Sequence, residues 1–346
     1  MHCHHDGVSS QRVPVVVLTG HLGSGKTTLL NFLLRRPGAR VGVIVNDFGA
    51  VNVDAGLVSG QVDEPASIAG GCICCLPDAG GLDDALAKLT HPRLGLDVVI
   101  VEASGLAEPT TLARLVRFSA VERVRPGGVV EVVDAAEYFD TVDNGLGPAP
   151  LRFEAATLVV VNKLDRVDAA DREKTLARIT ERVQARNADV AIVPAEHGRI
   201  DPDLIYDAAA TEDPPDQLPF GEALRAESPV EPPHVHAESV TVAVDGAVEP
   251  AGIVDLLSDP PPTAYRIKGT VTVATRGRPQ RYVLHVVGRS GDLVPAKASP
   301  GTRSELVAIG LDLDREQVRR RLERALTPTT DPTPEGLAAL RRLRTP

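Results

Sequence analysis

The chain of 346 residues has no Trp, one Met and only ten aromatics, four Tyr and six Phe, so its cores must be aliphatic. Long apolar stretches are missing as well. No window approaches the roughly 18 uninterrupted apolar residues of a membrane span, and residues 1–12 are polar where a secretory leader would carry a charged segment followed by an apolar one. These absences predict a cytoplasmic protein with no membrane partner. Positive charge is short, with 37 Lys and Arg against 47 Asp and Glu for a net charge of −10. That balance argues against nucleic acid and other acidic partners, because phosphates are neutralised mostly by Lys and Arg. Only six of the 37 basic residues are Lys, which makes each worth locating. Cysteine is limited to four, and in a reducing compartment such a number points to metal ligation or redox chemistry before structural bridges. What is present, 43% apolar and 24% charged residues, excludes collagen-like, disordered and disulfide-scaffold classes. At about 150 residues per domain, the length suggests two domains.

Short Val/Ile-rich runs alternate with longer helical patterns through the first 200 residues: Val13–Thr19, Val41–Val45, Asp97–Val101, Gly128–Val133, Thr157–Val161 and Val190–Val193. Continuous apolar runs joined by connections that can hold a helix read as parallel strands buried on both faces. The expected fold is therefore α/β, a mostly parallel doubly wound sheet over residues 13–205. Residues 206–236 are Pro-rich and acidic and read as a partly extended linker. A smaller α+β domain is expected over 237–327, with strands at Ser239–Val244, Tyr265–Ala274, Arg281–Val287 and Leu306–Gly310 and helices at Pro250–Leu257 and Arg315–Leu326. Residues 328–346, with an Arg-bearing short helix, read as a mobile tail, and 1–12 as a flexible leader. There is no internal repeat.

Gly20-His-Leu-Gly-Ser-Gly-Lys-Thr-Thr28 follows the first strand and opens a helix expected over Thr27–Leu34. This GxxxxGK[ST] pattern in a strand-to-helix setting is a phosphate-binding loop. Gly20, Gly23 and Gly25 let backbone N–H groups, including that of Ser24, converge on phosphates; Lys26 reaches the outer phosphates, and Thr27, with Thr28 beside it, can ligate Mg²⁺. Asn162-Lys-Leu-Asp165 follows another strand about 135 residues later, and Asp165 can accept from the N1–H and exocyclic amine that only guanine presents together. The stem of Lys163 can pack on the base plane, so GTP is preferred to ATP. Glu102 ends the strand beside the phosphate loop, placed to hold Mg²⁺ or to polarise an attacking water, while Gly105 could bring an N–H to the γ-phosphate. Lys26, Glu102 and Gly105 are the candidate catalytic set.

Gly70-Gly71-Cys72-Ile73-Cys74-Cys75 holds three of the four cysteines. Adjacent cysteines rarely form a relaxed disulfide, whereas three thiolates on one turn can converge on Zn²⁺, Co²⁺ or Cu⁺. Redox thiols and inert core cysteines are the alternatives. Met1-His-Cys-His-His-Asp6 gathers His2, Cys3, His4 and His5 in a tract of the kind that captures metal weakly, or else forms an arbitrary leader. His234-Val-His236 is a weaker two-ligand candidate, and His91, His197 and His285 read as solvation or packing residues.

The sequence resembles the CobW-like GTPases, metal-insertion proteins of the P-loop class that includes the urease and hydrogenase nickel GTPases. The resemblance covers most of the chain. It rests on Thr19 to Thr28, Asn46-Asp-Phe-Gly49 with Asp54, Gly71-Cys-Ile-Cys-Cys75, Glu102-Ala-Ser-Gly-Leu-Ala-Glu-Pro109, Asn162-Lys-Leu-Asp165, Arg266-Ile-Lys-Gly269 and Ile309-Gly-Leu-Asp312. It implies that Asn162, Lys163 and Asp165 read guanine, that Cys72, Cys74 and Cys75 hold a cargo metal, and that Asn46 to Gly49 sense the nucleotide, with Asp47 a Mg²⁺ or metal contact. The chain departs from the family pattern at His21, where many relatives carry an aromatic residue, and at Ala50, where many carry a carboxylate. The resemblance thus implies a GTP-driven metallochaperone that passes Zn²⁺ or Co²⁺ to a client protein, a slow GTPase whose nucleotide orders the thiolate site; a homodimer is left open. A metal-sequestering or metal-sensing protein with incidental GTPase activity is the first alternative, an ATP-dependent P-loop kinase or amide-forming ligase the second.

Overall fold

The computed structural model describes residues 12–35, 39–45, 66–67, 80–103, 108–143, 145, 147–206, 235–296 and 303–343. Its first half is a seven-stranded sheet of β1 (Val13–Gly20), β2 (Val41–Val45), β3 (Ala66–Ser67), β4 (Val98–Glu102), β5 (Val124–Asp134), β6 (Leu158–Asn162) and β7 (Ala191–Pro194). Every pairing is parallel, in the order β3-β2-β4-β1-β5-β6-β7. Alternation along β1 explains its unbroken apolar run. Val16 and Leu18 face α1 (Lys26–Leu34), whose Leu29, Leu30, Leu33 and Leu34 fill one core, while Val15 and Val17 face α2 (Gly80–Leu89) and α3 (Pro109–Arg117) through Leu82, Leu86, Leu112 and Val116. Burying each leucine contributes roughly 1.5–3 kcal/mol, and the two-sided burial removes the polar face a surface sheet would need. A third cluster joins the short α4 (Tyr138–Thr141), a 3₁₀ turn at Leu151–Glu154 and α5 (Arg172–Arg186) to β5 and β6. The chain runs from β1 to β2 on one side and to β5, β6 and β7 on the other, so the crevice of this doubly wound sheet opens at the C-terminal end of β1.

The second half is a five-stranded antiparallel sheet of β8 (Glu238–Val244), β9 (Arg266–Val273), β10 (Gln280–Val287), β11 (Ser290–Pro295) and β12 (Ser304–Gly310), ordered β11-β10-β9-β12-β8. Helices α6 (Pro250–Ser258) and α7 (Arg315–Ala325) pack on it through Ile253, Leu256, Val318 and Leu322. Two elements differ from the sequence expectation. Strand β11 is not among the strands expected from the sequence, since Ser290-Gly-Asp-Leu-Val-Pro295 offers little apolar pattern; it is an edge strand, paired along one side and joined to β10 by a two-residue turn. The segment after Thr327, expected to be a mobile tail, forms α8 (Pro334–Leu343), which packs against α6 with Leu340 buried in the second core. Glu249 accepts from both the backbone N–H and the hydroxyl of Thr333 at the start of that helix.

The two sheets touch directly. Tyr265 and Val287, flanking β9 and ending β10, belong to the same buried cluster as Leu158 and Tyr206. Arg266 donates to the Asp203 carbonyl at 3.3 Å, and the Ala237 N–H donates to Asp201 at 2.8 Å. No described helix is long and apolar enough to cross a membrane.

Candidate nucleotide site

The phosphate loop leaves β1 at Gly20 and enters α1 at Lys26. Gly25, the residue before the helix, has φ +103°, and a methyl there would collide with the Asn162 amide nitrogen, so this position requires glycine on both conformational and steric grounds. The Lys26 ammonium lies within the loop, donating to the carbonyls of Gly20 at 3.0 Å and His21 at 3.2 Å. The His21 carbonyl also accepts the Ser24 N–H at 3.1 Å. Ser24 is buried and its hydroxyl has no hydrogen-bond partner among the described residues. A buried hydroxyl of that kind is costly unless a ligand supplies an acceptor, and a phosphate oxygen would. Gly23 on the loop and Thr28 in the first turn of α1 are exposed.

Strand β4 ends in Glu102, which is buried and accepts from the Thr27 hydroxyl at 2.9 Å. A hydroxyl and a carboxylate held together beside the phosphate loop form an all-oxygen donor set of the sort Mg²⁺ takes while keeping several waters.

Strand β6 delivers the second half of the site. Asn162 donates to the Ser24 carbonyl at 3.0 Å and accepts the Gly198 N–H at 2.8 Å, so it ties the phosphate loop to the turn after β7. Gly198 has φ +69°, and a methyl on it would lie 2.8 Å from the Leu29 nitrogen of α1. Lys163 sits in the left-handed region with φ +63°, and its ammonium pairs with Asp134, the last residue of β5, at 2.5 Å. The Asp165 carboxylate accepts the His197 N–H at 3.4 Å and stands 3.6 Å from the His197 ring nitrogen Nδ1. The two halves meet at one end of the sheet.

Behind the loop lies a buried polar chain. Register places Glu131 of β5 opposite Thr19 of β1, whose hydroxyl donates to its carboxylate. Arg152, on the 3₁₀ turn, pairs with Glu131 at 2.5 Å, and its Nη1 is 2.9 Å from Nδ1 of His21. Burial pushes the Glu131 carboxyl up, against the pull of the Arg152 charge. Partial burial, then the neighbouring Arg152 and Lys26 charges, hold the His21 imidazole below its ordinary range.

Sequence reasoning passed over Glu131, Arg152, Asp134 and Gly198, and read His197 as a packing or solvation residue. The available signals were a carboxylate at the end of the Val-rich β5 and a Glu-His-Gly turn directly after β7. His91 does cap a turn, accepting the Arg93 N–H at 3.3 Å, and His285 is buried in β10. Asn46 to Gly49 with Asp47, Cys72, Cys74, Cys75, Gly105, His2, Cys3, His4, His5 and His234 lie outside the described residues. Among the described residues no group of three or more His, Cys, Asp or Glu side chains could hold a metal ion.

Comparison with known proteins adds family information to this geometry. Residues 14–193 match the model "CobW/HypB/UreG, nucleotide-binding domain", and residues 237–326 match "Cobalamin synthesis protein cobW C-terminal domain". A zinc chaperone CobW from Sinorhizobium sp. is 29% identical, over 89% of this chain and 96% of its own length. A second zinc chaperone CobW, from Pseudomonas aeruginosa, is 30% identical over 91% and 92%. Among solved structures, the Zn(II)-bound YjiA GTPase from E. coli aligns over 90% of this chain and 98% of its own, at 22% identity and a TM-score of 0.43.

Proposed function

We propose, on the premise that this chain belongs to the CobW/HypB/UreG family of P-loop GTPases, that it is a GTP-dependent zinc chaperone passing a divalent metal to a client protein. The observation that carries the nucleotide half is the meeting of Lys26, Thr27 with Glu102, and Asn162 to Asp165 at the C-terminal end of the parallel strands. Lys26 exchanges its two loop carbonyls for the outer phosphates, and the N–H groups of Gly23 to Thr28 cradle the remaining oxygens. Thr27 and Glu102 would hold Mg²⁺, which when bound supplies positive charge to the phosphate oxygens as negative charge shifts toward the leaving group. Glu102 also orients the attacking water, and Gly105, outside the described residues, is the proposed backbone donor to the γ-phosphate. On the base side Asp165 gives up His197 and accepts the two donors of guanine, Lys163 packs its stem on the ring, and Asn162 acts by holding both halves in register.

The metal half rests on the sequence and the relatives. Cys72, Cys74 and Cys75 are the proposed cargo ligands, with Asp47 and the His2, Cys3, His4 and His5 tract as secondary contacts. Thiolates suit Zn²⁺, the metal in the relatives' names, and accommodate Co²⁺ as well. The antiparallel region, residues 237–327, is the proposed client-recognition domain, beyond a linker over 206–236. GTP orders the thiolate site and hydrolysis releases the metal. This coupling is reciprocal, so Zn²⁺ must tighten GTP binding by the factor with which GTP tightens Zn²⁺ binding. Titrating Zn²⁺ with and without a non-hydrolysable GTP analogue tests it: unequal affinities are expected, and equal ones would leave a metal-sequestering protein with an incidental GTPase. Replacing all three cysteines with Ser is expected to remove the site; unchanged stoichiometry would move it to the N-terminal tract.

A further inference from the structure

We propose that Arg152, braced by Glu131, is a positioning residue for the phosphate loop and acts on it through the neutral side chain of His21. The inference rests on the reading of Gly20 to Thr28 as the phosphate site and extends it to Glu131 and Arg152, two residues that no motif includes. His21 is the hub of the loop. Its one carbonyl oxygen accepts both the Ser24 N–H at 3.1 Å, which closes the turn, and the Lys26 ammonium at 3.2 Å. Wherever the His21 backbone goes, the turn follows, and so does the lysine until it exchanges these carbonyls for phosphate.

The side chain of this residue is what Arg152 holds, at 2.9 Å from Nδ1. A guanidinium can only donate hydrogen bonds, so Nδ1 must be the acceptor and the ring must be the neutral form protonated at Nε2. The electrostatics agree with that assignment. The charged groups facing the ring are Arg152 from the 3₁₀ turn and Lys26 from α1, with Glu131 of β5 reaching it only through Arg152. Both near charges are positive and oppose an imidazolium.

Arg152 is itself fixed. Its side chain is 15% exposed and its partner Glu131 1% exposed, and Glu131 is tied in turn to Thr19 in the strand that feeds the loop. The 3₁₀ turn carrying Arg152 is anchored by the buried ring of Phe153 and by Asn187, which donates to the carbonyls of Phe153 at 3.1 Å and Ala156 at 2.9 Å. The chain Thr19, Glu131, Arg152, His21 therefore leaves β1 and returns to the loop one residue after the strand ends, closing a ring of side chains behind Gly20. Such a brace preorganises the loop for phosphate without touching it.

The test compares GTP hydrolysis by the intact chain and four variants. His21→Ala removes the tether and is expected to raise KM for GTP about tenfold, the size of a lost charge-assisted hydrogen bond, while kcat changes less than threefold. His21→Gln offers Arg152 an amide oxygen and is expected to recover most of the loss. Arg152→Lys keeps a charge for Glu131 but lacks the second arm, so it should match His21→Ala, and the double variant should be little worse than either. Histidine-selective ¹⁵N NMR of the wild type should show His21 as the Nε2–H tautomer. Wild-type affinity in His21→Ala, no recovery in His21→Gln, or an Nδ1–H tautomer would each overturn the proposal. Undiminished GTP binding by Lys26→Ala is a different result, since it would remove the phosphate-loop reading itself.

Discussion

The phosphate side and the base side of the site are built differently. Around the phosphate loop the polar groups are buried, with Lys26 at 8%, Glu102 at 4% and Ser24 and Glu131 at 1% exposure. On the base side the side chains of Lys163 and Asp165 are 17% and 20% exposed, and that of His197 is 63% exposed. Buried polar groups in low dielectric are held hard by their partners and lose much when one partner goes, whereas exposed groups exchange partners cheaply. The phosphate side thus supplies affinity from a fixed arrangement. On the proposed reading the base side supplies choice, with Asp165 trading a histidine for a base.

Substitutions on the two sides should separate affinity from choice, beginning with the largest effect. Lys26→Ala should weaken GTP binding on the order of a hundredfold or more, read by equilibrium dialysis, because no second ammonium is available in the loop. Glu102→Gln should lower kcat on the order of a hundredfold with a much smaller change in KM, which would place it with groups acting in the transition state. Asp165→Asn should shrink the preference for GTP over ATP by roughly ten- to a hundredfold in a competition assay, leaving phosphate affinity alone; a variant that binds both nucleotides poorly would erase the distinction between the sides. Gly198→Ala, at φ +69° and against Leu29, should cost roughly 1–3 kcal/mol of stability and lower the Tm by several degrees. Asp134→Asn should change GTP affinity only about two- to threefold, since Lys163 keeps a hydrogen-bonding partner near the surface.

How much of this was legible in the sequence follows the same divide between local and distant chemistry. The strands and the GxxxxGK pattern could be read because burial on both faces and a glycine turn leave marks within a few neighbouring residues. The brace behind the loop could not, since Thr19 and Glu131 are 112 positions apart and His21 and Arg152 are 131 apart; the register of β1 against β5 joins the first pair and the 3₁₀ turn at Leu151–Glu154 the second. His197 illustrates a subtler limit: an isolated histidine carries no pattern, and its place beside Asp165 depends on where β7 ends. Strand β11 was hidden because an edge strand owes its existence to its neighbour's hydrogen bonds more than to its own apolar residues. The short helix of the tail could be read, but not its docking, because few of its residues are buried and its support comes from α6.

Strand β5 meets other parts of the molecule at three heights. At Gly128 a methyl would touch Val287 Cγ1 at 3.0 Å and the Tyr265 hydroxyl at 3.5 Å, both from the antiparallel half; further along, Glu131 faces Thr19, and the last residue, Asp134, holds Lys163. From Gly128 to Asp134 an extended backbone covers about 20 Å at roughly 3.3 Å per residue, with ladder bonds to both neighbours. In mechanical terms this strand is a stiff rod with one end against the antiparallel sheet and the other in the base site. The strand that passes Val287 and Tyr265 near Gly128 also carries Glu131 and Asp134, so a single covalent member borders the antiparallel half and both sides of the nucleotide site.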